Sequence, residues 1–233
     1  MTNGNPRLWA ILTVLAGVAV IGVTLGFAAL PEVTAGQPQC YARTPPVIAF
    51  EFARTVAEAS ALFGDGDCRQ TRLTAMDAIN RLDIAGYIPA YSLFAVFGAI
   101  FAARGARPRL ALLAILAAIG AFAADMVETT TLLAITKDMA AATDAMTVRA
   151  STAAWTKFGL LAVYAALMVG VCLTAAPRRW IVGLAFALPV LGTIAAAVDT
   201  DRLTPAMTLG TTLAWTLLLV FAVKEAIWPV KAA

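Results

Sequence analysis

Six long apolar stretches, Trp9–Leu30, Ile84–Ala103, Leu110–Ile135, Ala153–Ala176, Trp180–Val198 and Met207–Val223, constrain this chain more than any motif in it. A helix rising 1.5 Å per residue needs roughly 17–25 apolar residues to cross a hydrocarbon layer about 30 Å thick. Inside that layer no water is present to bond a free N–H or C=O, so such stretches must be helices. The composition agrees, with 61% hydrophobic and 13% charged residues, against about 25% charged in soluble domains. The expected fold is therefore all-α, a polytopic bundle of six transmembrane helices forming one integral membrane domain over residues 1–233.

The first stretch follows Arg7 and resembles a leader in its charge pattern. It is too long for a secretory h-region of about 7–15 residues, and Ala28-Ala29-Leu30-Pro31 is a poor cleavage site. An uncleaved first helix is the expectation.

Positive charge in the short loops sets the orientation. With the N-terminus inside, the inner segments carry Arg7, then Arg104, Arg107 and Arg109, then Arg178 and Arg179, then Lys224 and Lys231. The short outer loops carry Lys137, Arg149 and Arg202 beside Asp138, Asp144, Asp199 and Asp201. The reading is a bacterial inner-membrane protein with both termini cytoplasmic and the long loop Pro31–Asp83 periplasmic. Its net charge of +3 is then a topology signal and implies no nucleic-acid partner.

That loop looks structured. Cys40 and Cys68 share it, whereas Cys172 falls near the inner end of the fourth span, so a Cys40–Cys68 disulfide suits an oxidising compartment. Pro45-Pro46 would start a helix, Val47–Phe63, ended by Gly64. Its residues Ile48, Phe52, Val56, Ala59 and Phe63 share one face, and Glu51 and Arg54 are spaced to pair at i,i+3. Such a helix would lie on the membrane surface or cap the bundle. Gly64-Asp65-Gly66-Asp67 reads as a turn, because the later ligands and terminal Glu of a calcium loop are missing. A further helix starts near Thr71 and runs into the second span, where Pro89 would permit a kink. Gly22 and Gly26 form a small-xxx-small pair that allows close packing of the first helix.

The polar residues inside the spans carry the functional signal. Asp125 and Glu128 lie within an otherwise apolar run, where an ionised side chain costs roughly 2.5–3.5 kcal/mol on insertion scales unless paired or hydrated. Being three apart, they share a helix face. Asp83, Tyr87 and Tyr91 form a stripe at i, i+4 and i+8 on the second helix. Lys157 and Tyr164 project from the fourth, and Thr208, Thr211 and Thr212 lie in the outer half of the sixth. With the expected topology these groups share a depth in the outer leaflet.

Asp83, Tyr87, Tyr91, Asp125, Glu128, Lys157 and Tyr164 are thus the candidate ligand-binding set, with Asp125 and Glu128 as candidate acid and base. The chain has no histidine, which excludes His-based triads and His-metal sites. No phosphate-binding Gly-rich motif is present. No cofactor is expected, although Asp125, Glu128 and Asp83 offer oxygen ligands that suit a divalent cation. The function expected is binding of a lipid or small amphiphile, with or without its modification, membrane lipids being the natural partners. The alternatives are a structural or assembly subunit of an oligomer or membrane complex, in which the charges form a packing network, and a proton-coupled small-molecule transporter.

Overall fold

A computed structural model of the chain describes residues 6–35, 39–40, 47–103, 108–175 and 179–228. Eleven α-helices and one π-helical turn follow in order among these residues, with no strand. They are α1 (Pro6–Ala29), α2 (Pro31–Ala35), α3 (Val47–Phe52), α4 (Val56–Phe63), α5 (Cys68–Leu82), the π turn Asp83–Tyr87, α6 (Ile88–Ala103), α7 (Pro108–Lys137), α8 (Asp144–Ala175), α9 (Trp180–Ala185), α10 (Ala187–Val198) and α11 (Thr200–Ile227). Six helical stretches are long and apolar enough to cross a bilayer: Pro6–Ala35, Cys68–Ala103, Pro108–Lys137, Asp144–Thr174, Trp180–Val198 and Arg202–Ile227. Every expected span has its counterpart. The arginines at 104, 107 and 178, Pro45-Pro46 and Lys231, on which parts of the orientation and loop reading rest, lie outside the described residues.

Local sequence explains the helix ends. Pro108 opens α7 at a position whose N–H has no intrahelical partner anyway, and Lys137 closes it where the helix dipole is negative. Asp199 caps α11 by accepting from the Arg202 N–H at 3.2 Å. The helix of the fourth span, α8, begins at Asp144, well before the expected Ala153, so Lys157 sits about 20 Å from its first residue. Pro189 lacks the N–H that would bond to Ala185, and the fifth span breaks between α9 and α10. Pro89 acts similarly in the second span. The turn before it widens into a π turn, in which the Ile88 N–H reaches back to the Asp83 carbonyl.

The helices group into two compact units, the first formed by residues 1–18, 90–121 and 158–233, the second by 19–89 and 122–157. In the first unit, α6 and α11 meet through aromatic rings. Trp215 packs on Tyr91 at 5.8 Å and on Phe94 at 5.6 Å, and Phe101 packs on Phe221 at 5.6 Å. Arg179 is buried here; its guanidinium lies over the rings of Phe101 and Phe221 and donates to the carbonyls of Phe101 and Ala102 near the C-terminus of α6. That end of a helix attracts cations. The backbones of α10 and α11 approach closely. A Cβ on Gly192 would stand 2.6 Å from the Met207 Cα, and one on Gly210 would stand 2.9 Å from the Leu188 carbonyl carbon. The expected close-packing pair behaves otherwise, since a Cβ on Gly22 would meet nothing within 4 Å and one on Gly26 would make an ordinary contact with Leu82.

The second unit contains the region between the first two spans. Cys40 and Cys68 are joined by a disulfide, as expected. Arg72 donates to the carbonyls of Cys40 at 2.9 Å and Phe63 at 3.0 Å, and Arg69 donates to Gly64 and Ser60. Gly64 and Gly66 take positive φ, which a side chain would resist. The single helix expected over Val47–Phe63 is instead two, α3 and α4. Thr55 provides the reason, because its hydroxyl accepts from the Glu58 N–H at 3.1 Å while the Glu58 carboxylate accepts from the Arg54 N–H at 2.7 Å. This reciprocal cap starts a new helix at Val56, whose own N–H donates to Asp144 at 2.7 Å. The break also alters the buried face. Phe50, Ala53, Ala59 and Phe63 form the core with Leu73, Met76, Leu132, Ile135 and Ala150, while Ile48, Phe52 and Val56 are only partly buried.

Candidate functional site

The second unit gathers a charged cluster around Lys157. Its ammonium lies 3.3 Å from Glu51 Oε2 and 3.2 Å from Asp125 Oδ1. It is 2.9 Å from each oxygen of Glu128. All four residues are buried, at 7% exposure or less. The elements that deliver them differ. Asp125 and Glu128 share one face of α7 by their spacing of three. Lys157 ends a buried stripe on α8 of Thr147, Ala150, Ser151 and Ala154, whose small side chains leave room for the lysine stem. Glu51 comes from α3, placed by the packing of Phe50 edge-on to Phe63 at 5.2 Å and of Phe52 on Trp155 at 4.7 Å.

A second tier adjoins the first. The Thr129 hydroxyl lies 3.1 Å from Asp83 Oδ2 and 3.4 Å from Asp125 Oδ1, so it links the π turn to the cluster by donating to one acid or the other. Along the same seam, the Thr136 hydroxyl donates to Asp77 at 3.3 Å, and Asp77 pairs with Arg81 at 2.7 Å. Asn80 is buried between Asp77 and Asp83 in sequence, and its Nδ2 has no hydrogen-bond partner.

The charge count is the informative quantity. Three buried carboxylates share one ammonium, and a single positive charge offsets only one of them. Removing carboxylates from water costs several kcal/mol per ion even in relaxed interiors, so the surplus must be met by protons or by a positive ligand. Glu51 Oε2 and Glu128 Oε2 are both buried and accept no hydrogen bond of ordinary geometry. Burial pushes the Glu51 carboxyl above the usual range; Lys157 opposes this, and the negative charge of Asp125 adds to it.

The expected site residues divide between the units. Asp83, Asp125, Glu128 and Lys157 belong to the second and form the cluster described, and Tyr87 is beside them on the π turn, its ring 5.7 Å from Phe27. Tyr91 and Tyr164 belong to the first unit. There Tyr91 stacks on Trp215, and the Tyr164 hydroxyl donates to the Ala95 carbonyl at 3.0 Å. Thr208, Thr211 and Thr212 are also in the first unit and donate to carbonyls of their own helix. Glu51 was expected to pair with Arg54 and instead reaches Lys157, because the helix ends one residue later at Phe52 and Arg54 lies beyond it, exposed. Its signal in the sequence was a lone carboxylate between Phe50 and Phe52. Thr129, one turn beyond Asp125, was legible from i,i+4 spacing alone. Among the described residues no group of three or more acidic, cysteine or histidine side chains is arranged to hold a metal ion, and the Lys157 ammonium stands where the acids converge.

Comparison with protein families, with curated proteins and with solved structures finds no match to this chain.

Proposed function

We propose that this multipass helical protein binds the polar head of a lipid or small amphiphile at the cluster of Glu51, Asp125, Glu128 and Lys157, and that the head is positively charged or rich in hydrogen-bond donors. One observation carries the reading, namely three buried carboxylates converging on one ammonium. A packing network would need a single acid to neutralise Lys157, and each further buried acid weakens the fold. The surplus therefore favours a ligand over a purely structural role. Three carboxylates within 3.3 Å already surround the lysine, which leaves it little to offer an anionic group. Attraction between the remaining negative charge and a cationic head is the better electrostatic match. Glu51 lies between Cys40 and Cys68 in the chain, so the disulfide supports a site served from an oxidising, extracytoplasmic side.

The test is titration of the purified protein in nanodiscs with dodecylamine and with dodecyl sulfate, read by native mass spectrometry. The reading expects saturable binding of the amine, weakened by about tenfold or more in Glu128→Gln, with little binding of the sulfate. Equal affinity for both heads, or unchanged amine binding in a Glu128→Gln protein that melts like the parent, overturns it.

A further inference from the structure

We propose that Glu51 is a proton-binding residue whose occupancy decides whether α3 stays seated against Lys157, making α3 a pH-sensitive plug on the cluster. This goes beyond the amphiphile reading and holds whichever ligand the cluster takes.

The argument begins with how α3 is attached. It is six residues long, and the chain leaves the helix at residues 53–55 before α4 begins. Helix α4 has its own N-terminal cap in Thr55 and Glu58 and its own anchor in Asp144. The α3 segment can therefore shift about that break without unwinding α4. Its contacts are of two kinds. Phe50 and Phe52 pack on Phe63 and Trp155, and the Phe52 carbonyl accepts from Ser151 at 3.5 Å; these are indifferent to pH. Glu51 supplies the contact that titrates.

Charges face Glu51 from each element packed on it. Helix α8 presents Lys157, α7 presents Asp125 and Glu128, and the π turn contributes Asp83 and Tyr87 at longer range. With α3 seated and Glu51 ionised, a third negative charge crowds an ammonium that already contacts two. With Glu51 protonated, the crowding is relieved. Seating is thus linked to proton uptake. Burial raises the seated Glu51 carboxyl above the ordinary glutamate value of 4.5, the lysine opposing and Asp125 adding. A group raised in this way contributes fully below the ordinary value and loses its contribution as pH climbs through the raised one. Low pH therefore seats α3 and rising pH releases it.

Hydrogen exchange of the disulfide-intact protein in nanodiscs, followed by mass spectrometry from pH 5 to 9 on the order of one-unit steps, tests this linkage. Protection factors over residues 47–54 are expected to fall by up to about tenfold per pH unit across part of that range. Those over 207–223 are expected to stay constant, which separates plug release from global unfolding. In Glu51→Gln the pH dependence over 47–54 should vanish. Glu128→Gln removes one opposing carboxylate and should keep α3 protected to higher pH. A flat wild-type profile overturns the proposal, as does an unchanged pH dependence in Glu51→Gln. Should Glu51→Gln fail to accumulate, a Glu128→Gln midpoint no higher than that of the wild type overturns it equally.

Discussion

The Lys157 ammonium stands 3.3 Å from the Glu51 carboxylate, joining the fourth span to a short helix that lies between the first two. The same ammonium holds Asp125 and Glu128, so one lysine ties three helices together.

Lys157→Met is expected to destabilise the protein by about 3–5 kcal/mol, since it strands buried carboxylates without their counter-charge. The loss should be smaller in acid, where those carboxylates protonate, and smaller in Lys157→Met with Glu128→Gln. Chemical denaturation of the single and double variants in a fixed detergent measures both effects. A single variant with wild-type stability near neutral pH would mean that the acids carry protons already.

Opening the disulfide should cost roughly 3–4 kcal/mol by the loop-entropy estimate for a separation of 28 residues. Cys40→Ser with Cys68→Ser would show the effect as a lower thermal midpoint. Faster hydrogen exchange over residues 68–82 should accompany it, because Arg72 ties α5 to the Cys40 carbonyl.

Thr55→Ala removes the hydroxyl that caps α4 and should cost about 1 kcal/mol. Asp144→Ala, which removes the acceptor for the Val56 N–H, acts on the same turn. The pair should therefore depart from additivity. A double-mutant cycle by denaturation decides the point, and strict additivity would show that the two caps are independent.

Gly192→Ala drives a methyl group into the backbone of α11 near Met207 and should destabilise by about 1–3 kcal/mol or more. Gly22→Ala, where a Cβ meets nothing within 4 Å, provides the neutral comparison. Melting both variants side by side checks the contrast.

Much of this architecture was readable in the chain because bilayer physics leaves few choices. Twenty apolar residues in a row must be helical, and all six expected spans correspond to helices. The disulfide was readable from two cysteines sharing a loop. Asp125, Glu128 and Lys157 stood out because charge within an apolar run is costly, and their convergence is the part of the site most faithful to expectation. Helix breaks were less legible. Pro189 divides the fifth span through a carbonyl four residues away, and Pro89 is absorbed by a π turn rather than left as a simple gap.

Periodicity and hydropathy are properties of neighbours along the chain, so they identify a buried acid and a helix and then stop. Glu51 illustrates the boundary. Its spacing to Arg54 favours a surface pair, yet the Thr55–Glu58 cap ends the helix early, and Phe50 and Phe52 turn the carboxylate toward Lys157. That choice rests on apolar contacts between distant segments, each weak alone and additive only once packed. The chain alone specified six helices, a disulfide loop and three misplaced charges. The folded arrangement added the third carboxylate, which deepens the excess of acid over ammonium on which the ligand reading rests and puts a titrating group on α3.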